Sequence, residues 1–260
     1  MRILITGAEG MLGQNVVEAA RARGHDVASM GHRLLDITNP VRLVCVFDDV
    51  KPEVVVNCAG ITKGRKCSES EYIRVNALGP HLLAEQCDVS KARLIHVSTD
   101  CVFSGEAGWY SEKDRPDPVD VYGRSKLAGE VTREPHLTVR TSFLGLEGGL
   151  LAWLLQQEGE VPGYLFSYWN GVTAPVLARL LVQLAEEAEC GLLHIGTTRY
   201  VAKARLLQKC AEVFELPVSV KGTAGPRDHQ VNRALASVRR RFELPSLDEM
   251  LQELAQRRRR

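Results

Sequence analysis

The sequence predicts an α/β protein with a Rossmann-like, doubly wound parallel sheet and a smaller C-terminal lobe. Three observations carry this. Short apolar runs rich in β-branched residues alternate with helical patterns, a glycine turn lies between the first run and the first helix, and glycine or hydroxyl motifs recur where the runs end. Strand–helix alternation builds parallel sheets through right-handed crossovers, and the ligands of such sheets sit at the carboxyl ends of the strands.

Arg2-Ile3-Leu4-Ile5-Thr6 reads as a buried strand running into Gly7-Ala8-Glu9-Gly10-Met11-Leu12-Gly13. Leu12, Val16, Ala19, Ala20 and Arg23 then recur at helical spacing, and Gly24 stands where a helix C-terminal glycine belongs. Glycine suits that turn because the backbone bends sharply and must approach a pyrophosphate, while the helix N-terminus offers unpaired N–H groups to negative charge. Nucleotide binding is the expected consequence.

Further strands are expected at 26–29, 53–57, 93–98, 137–141 and 192–195, and helices near 40–50, 68–88, 122–133 and 174–188. From about 143 the pattern loosens. The glycine-rich stretch 144–149 is followed by an apolar helix start at 150–155 and an aromatic cluster of Tyr164, Phe166, Tyr168 and Trp169. Leu206, Leu207, Cys210, Ala211 and Phe214 mark one helical face, and Leu247, Met250, Leu251 and Leu254 another.

The strand ends bring Gly7, Cys58-Ala59-Gly60, Ser98-Thr99-Asp100 and Thr141-Ser142 toward one crevice. Beside it stands Tyr122-Gly123-Arg124-Ser125-Lys126. On a helix the four-residue step puts the phenol of Tyr122 and the ammonium of Lys126 on one face. The cation is expected to depress the phenol's pKa toward the value that acid–base work at neutral pH requires, with Thr99 holding the reacting oxygen. A hydroxyl, a phenol and an ammonium in this order suit proton donation to a carbonyl.

The end of the second strand bears on cofactor choice. A carboxylate there usually binds the ribose 2′-OH of NAD, whereas arginine accommodates the 2′-phosphate of NADP. The chain reads Ser29-Met30-Gly31-His32-Arg33, with no acid until Asp36, so NADPH is preferred and NADH is the alternative.

The segments GAEGMLG (7–13), LDIT (35–38), VVNCAGI (55–61), VNALGP (75–80), LIHVSTDCVFSG (94–105), YGRSKLAGE (122–130), VRTSFLG (139–145) and WNGVTAPVLA (169–178) resemble the extended short-chain dehydrogenase/reductases, within them the dTDP-4-dehydrorhamnose reductase group and its sugar-nucleotide reductase relatives. The resemblance implies that Thr99, Tyr122 and Lys126 are catalytic, with Tyr122 giving a proton to the C4 oxygen as NAD(P)H delivers hydride to C4 and Lys126 gripping the nicotinamide ribose. It places Gly7, Gly10, Met11 and Leu12 at the pyrophosphate, Asp36 and Ile37 at the adenine, and Ala59 and Gly60 along the ribose, with Asn76 buttressing that wall. Cys58, Ser98, Thr141, His32 and Arg33 complete the cofactor side. Thr99, Asp100, Phe103, Ser142 and Trp169 fall on the substrate side, with Arg227 as an anion contact. The stretch 61–66 departs from the acidic loop of the rhamnose reductases, and Lys63 within it either meets a substrate phosphate or decorates a solvent-facing turn.

The same resemblance makes the second lobe a small C-terminal substrate-binding lobe. Residues 1–142 form the dinucleotide-binding domain, to which 172–196 return, and 143–171 with 197–260 form the lobe. Related 4,6-dehydratases carry an Asp-Glu pair after the threonine, where this chain has Asp100-Cys101. Cysteine replaces that carboxylate as a base only as an activated thiolate, so ketone reduction is favoured over dehydration. The implied substrate is a nucleotide-linked 4-ketosugar. A catalytically idle NADP-binding subunit, like the regulatory subunit of methionine adenosyltransferase, and a sugar-nucleotide epimerase stay open beside it.

Composition excludes other classes. The 260 residues are 45% hydrophobic with a formal net charge of +1, so there is no global basic footprint for nucleic acid and no apolar run long enough for a membrane span. The terminal arginines 257–260 are expected to fray into solvent. Met1-Arg2 enters a strand at once, which leaves no room for a signal peptide. Seven scattered cysteines without a C-x-x-C pair, and seven histidines without i, i+4 pairing, indicate reduced cytoplasmic thiols and no metal site. A homodimer is compatible with this reading.

Overall fold

The computed structural model describes residues 1–226 and 230–259. Its centre is a six-stranded, all-parallel sheet of β1 (Arg2–Thr6), β2 (Asp26–Met30), β3 (Val54–Asn57), β4 (Arg93–Val97), β5 (Leu137–Thr141) and, later in the chain, β10 (Gly191–Ile195), in the order β2-β1-β3-β4-β5-β10. The order reverses direction between β1 and β3, which opens a crevice beyond their carboxyl ends.

Helix α1 (Met11–Ala22) joins β1 to β2, α2 (Pro40–Val50) joins β2 to β3, and a helical run joins β3 to β4. Asn39 caps α2, its side chain accepting from the Arg42 N–H, with Pro40 pre-set for the first turn. The helical run comprises α3 (Glu69–Tyr72), opened by a Ser68–Glu71 capping box, then a π-helical turn over Ile73–Leu78, then α4 (Gly79–Ser90). Helix α5 (Val121–Ala128) stops short of the expected 133. A Cβ at Gly129 would stand 1.9 Å from the Asn76 carbonyl, so only a glycine passes there and the chain turns away.

Strand alternation divides the core. Ile3, Ile5, Val54, Val56, Ile95, Val97, Leu137, Val139, Leu193 and Ile195 face α1 and the later helix α7 (Ala174–Glu186). On the opposite face Leu4, Val55 and Leu94 pack against α2 and α4. Toward β5 and β10 that second face turns polar, with Thr138, Arg140 and His194 buried.

The remaining elements are short: β6 (Phe143–Leu144), α6 (Gly149–Leu154), β7 (Gly159–Tyr164), β8 (Tyr168–Trp169), β9 (Val172–Thr173), β11 (Val201–Ala202), α8 (Lys203–Val213), β12 (Val218–Thr223) and α9 (Leu247–Arg258). They pair as β6-β9, β7-β12 and β8-β11, around a second cluster that includes Leu144, Leu154, Trp169, Leu206, Phe214 and Leu254. Helix α9 belongs to both cores, since Met250 packs in the first and Leu251 in the second. The arginines of its last turn do not fray. Arg257 pairs with Glu18 at 2.6 Å, Arg258 lies over the Phe214 ring, and Arg259 reaches Glu215 at 3.2 Å.

The glycine turn is sterically exact about one position. A Cβ at Gly13 would stand 2.1 Å from the Gly7 carbonyl oxygen and 2.8 Å from Ala8 Cα, both backbone atoms that cannot rotate aside. Gly13→Ala is therefore expected to cost about 1–3 kcal/mol, as overpacked sites do, read from the midpoint of urea unfolding. An unchanged midpoint would contradict the close packing of turn on helix.

Candidate active site

Gly7 leaves β1 with φ +64°, a left-handed conformation, and its missing Cβ would meet the Ala59 nitrogen at 2.6 Å. The ends of β1 and β3 are thus in backbone contact. Beside them lies a groove of about 420 Å³ lined by Gly7, Gly10, His32, Asp36, Ile37, Cys58, Ala59 and Gly60. Gly10 precedes α1 and supplies no side-chain cap, so the first N–H groups of that helix, at Met11 and Leu12, keep their free donor character. The side chains of these two residues go elsewhere: Leu12 is in the core, and Met11 Sδ fills the space against Gly145.

The groove's charge differs in detail from expectation. His32 lines it, but Arg33 is not among its lining residues; Arg65, Lys66 and Arg74 are, together with the carboxylates of Glu9, Asp36 and Glu71. Against the opposing pull of burial, the Thr38 N–H and hydroxyl hold the Asp36 carboxyl below its ordinary value, with His32 and Arg74 adding attraction. Its oxygen Oδ1 already accepts two hydrogen bonds, at 2.9 and 2.7 Å. Neither Ser98 nor Thr141 is among the lining residues: the Ser98 hydroxyl donates to Glu130 at 2.7 Å, and Thr141 is buried.

Asn76 sits on the π-helical turn and pins the 59–61 loop. Its Oδ1 accepts from the Ile61 N–H at 2.7 Å, and its Nδ2 donates to the Ile61 carbonyl at 2.9 Å. A Cβ on Gly60 would stand 3.2 Å from that Oδ1 and 3.9 Å from Lys126 Nζ, which puts the lysine at the groove wall.

Thr99 follows β4 and caps a single 3₁₀ turn, Asp100–Val102, by accepting from the Cys101 N–H at 3.1 Å. Helix α5 rests directly on this turn, because a Cβ at Gly123 would lie 2.2 Å from the Cys101 carbonyl. Asp120 caps α5 by accepting from Gly123 N–H at 2.7 Å. The close approach seats Tyr122 on the turn that Thr99 opens, with the Tyr72 ring edge-on at 6.3 Å, and the Thr99 hydroxyl donates to Asp100 Oδ1 at 3.1 Å.

The expected action of Lys126 on the phenol is not what the geometry gives. Burial, then the neighbouring Cys101 and Asp100, raise the Tyr122 pKa, partly offset by the nearby Thr99 hydroxyl, so the phenol keeps its proton. Lys126 is instead spent inward: its Nζ donates to the Val97 carbonyl at 2.7 Å and meets His96 Nε2 at 3.3 Å. Burial brings the lysine down to about 8.

On the other side of the Thr99 turn opens a cleft of about 560 Å³ lined by Lys63, Asp100, Cys101, Asp120, Ser142, Ser167, Tyr168, Trp169, Lys203 and Arg233, together with Val119 and Val231. Trp169 donates its indole N–H to the Ser142 hydroxyl at 3.0 Å. Lys63 pairs with Asp120 at 2.7 Å. Burial raises the Asp100 carboxyl, while Arg233 and Lys203 pull it back. Ser167 is 1% exposed, and its hydroxyl has no protein partner.

Several assignments change here. Phe103 does not face this cleft; it is fully buried, stacked on Tyr110 at 4.2 Å and covered by Arg140. Arg227 lies outside the described residues. Lys203, Arg233 and Ser167 were not singled out from sequence, and no spacing marks them: Ser167 lies just before β8 and the other two far beyond it, and only tertiary folding brings them to the cleft. Arg74 lies inside the recognised helical run, yet nothing local indicates that this residue of the π turn lines the groove.

Burial pushes the Cys101 thiol up to about 12, so at neutral pH it is a thiol and not a base. Iodoacetamide at pH 7.5 is accordingly expected to alkylate the exposed Cys45 well before Cys101, as read by peptide mass spectrometry. Rapid labelling of Cys101 would reopen base chemistry at that position. Among the described residues no cluster of ligands could hold a metal, and no helix is long and apolar enough to cross a membrane.

Comparison with known proteins agrees with this layout. Residues 1–229 match the model of the RmlD substrate binding domain. A probable low-salt glycan biosynthesis reductase of Haloferax volcanii is 32% identical over 241 residues, covering 82% of this chain and 80% of that protein. A dTDP-4-keto-6-deoxy-D-glucose reductase of Streptomyces niveus is 33% identical over 210 residues, covering 76% and 73%. The crystal structure of a dTDP-4-dehydrorhamnose reductase from Clostridium acetobutylicum superposes with a TM-score of 0.90 at 25% identity, covering all of both chains. With strand order, glycine turn and family match in accord over nearly nine-tenths of its length, the chain belongs to the RmlD substrate-binding-domain family.

Proposed function

We propose that this protein is an NADPH-dependent reductase that converts the C4 ketone of a nucleotide-linked deoxysugar to the alcohol. The observation that carries the reading is the seating of the Tyr122 helix on the Thr99–Cys101 turn, whose Asp100 and Cys101 line the cation-lined cleft, while Lys126 of the same helix stands behind the Gly60 wall of the strand-end groove. The two relatives named reductases, each at least 32% identical, support the reaction class.

The groove fits a dinucleotide. Its glycine turn lets the backbone approach closely and presents helix N–H donors to a pyrophosphate, and Arg65, Lys66 and Arg74 supply positive charge suited to a 2′-phosphate. Asp36, already engaged by Thr38, is poorly placed to hold a 2′-hydroxyl instead. NADPH is therefore preferred, and NADH is used less well. When bound, the cofactor supplies a hydride to the carbonyl carbon.

The protein's part is to hold and protonate the oxygen. Thr99 and Tyr122 together present hydroxyl donors to it, and the raised pKa keeps the Tyr122 proton in place until charge develops on the carbonyl oxygen. The proton then passes from phenol to alkoxide. In the cleft, Lys63, Lys203 and Arg233 suit a diphosphate, the Ser167 hydroxyl a sugar oxygen, and Tyr168 with Trp169 flat apolar faces. On this reading the cleft lies between residues 1–142 and a substrate-binding part built from 143–171 and 197–260.

The test is NADPH oxidation against a panel of nucleotide-linked 4-ketosugars, run in parallel with NADH. Turnover on at least one member with preference for NADPH is expected. Tight NADPH binding without turnover on any of them would overturn the reading in favour of a binding subunit.

A further inference from the structure

His96 is buried in the sheet and takes no part in the reaction as described, yet it touches Lys126. Its place follows from register. Thr6, Asn57 and His96 are aligned neighbours on β1, β3 and β4, all at the carboxyl end and all on the same face, so their side chains form a row across three strands.

The row has one consistent hydrogen-bond direction. Asn57 Oδ1 accepts from the Thr6 hydroxyl at 2.6 Å and from the Ala59 backbone N–H at 3.1 Å. A backbone N–H can only donate, so the amide orientation is fixed, and Asn57 Nδ2 must donate to His96 Nδ1, 3.0 Å away. Burial and the adjacent Lys126 keep His96 well below its ordinary pKa, hence neutral, with His81 acting in the same direction. A neutral imidazole that accepts at Nδ1 carries its proton on Nε2. That proton points at Lys126 Nζ.

An N–H facing an ammonium is an unfavourable contact; an N–H facing a free amine is a hydrogen bond. Reversing the imidazole tautomer would relieve the first case only by turning the Asn57 amide, which would strip the Ala59 N–H of its acceptor in the groove wall. The other groups that act on Lys126, Glu130 just past α5 and Cys58 beyond β3, pull the other way. We infer that His96 is a positioning residue: locked as the Nε2–H tautomer by Asn57, it favours the free amine of Lys126 and ties the lysine's proton to the Asn57–Ala59 strand end.

Two measurements on the full chain test this, and neither needs turnover, so failure of the reductase reading would leave them intact. In ¹⁵N-histidine-labelled protein at pH 7, His96 is expected to show the Nε2–H pattern; an Nδ1–H tautomer or an imidazolium overturns the inference. In ¹³C-lysine-labelled protein the Lys126 Cε resonance is expected to titrate near 8. Asn57→Asp gives His96 Nδ1 an acceptor in place of a donor, which frees Nε2 to accept from the ammonium. The Lys126 midpoint should then rise by at least about one unit, tenfold in proton affinity. In the His96→Gln background, Asn57→Asp should produce no comparable rise. A rise that persists without His96 is Coulombic attraction alone and overturns the inference, as does a folded Asn57→Asp protein whose midpoint stays in place. Should the variants not fold, the tautomer measurement on the unaltered chain still decides.

Discussion

Tyr122→Phe is expected to lower kcat for 4-ketosugar reduction by about 10²–10⁴-fold, the usual worth of a positioned general acid, while NADPH affinity stays nearly unchanged. The phenyl ring keeps its edge contact with Tyr72 and its seat on the Thr99 turn, so only the hydroxyl and its proton are lost. Because the missing interaction forms with the developing alkoxide, kcat and kcat/KM should fall together. Steady-state kinetics read this directly, and NADPH titration confirms that the groove is intact. Loss confined to KM would mean that the phenol only binds substrate. Activity within threefold of the unaltered enzyme would remove Tyr122 from the chemistry altogether.

The largest stability effect is expected at Glu130. Its carboxylate pairs with Arg140 through two hydrogen bonds of 2.8 and 2.7 Å and accepts a third from Ser98, in a setting where both side chains are almost wholly enclosed. Arg140 also lies 5.2 Å from the Phe103 ring centroid and 3.4 Å from His194 Nε2. Glu130→Ala leaves that guanidinium without a counter-charge and should cost about 3–5 kcal/mol, seen as a lower urea midpoint with an unchanged slope. A double replacement, Glu130→Leu with Arg140→Met, removes both charges and is expected to recover most of the loss. A single variant as stable as the parent, or a double variant no better than Glu130→Ala, would show that the pair is not what holds this layer.

How much of this was readable in advance depended on periodicity. The strands facing α1 and α7 announce themselves, because Ile3, Ile5, Val54, Val56, Ile95 and Val97 repeat at the two-residue step of one apolar face. The glycine turn was equally legible, since its steric demands are local. The opposite face was not: His96, Arg140 and His194 sit inside strands that read simply as buried runs, and their partners are 10 to 84 residues away. The Tyr122–Lys126 spacing correctly identified two neighbours on one helix, but spacing says nothing about where a flexible ammonium points, and the sheet's carbonyl and imidazole claim it. Phe103, placed on the substrate side by resemblance alone, instead roofs the Arg140 layer, and nothing local in the sequence marks that turn inward.

The dual membership of α9 bears on how the chain acquires its shape during synthesis. Met250 closes the core beneath the parallel sheet, and Leu251 with Leu254 closes the other. A nascent polypeptide that has emerged only through β12 therefore lacks packed side chains in both cores, and both gain them together when this one helix docks.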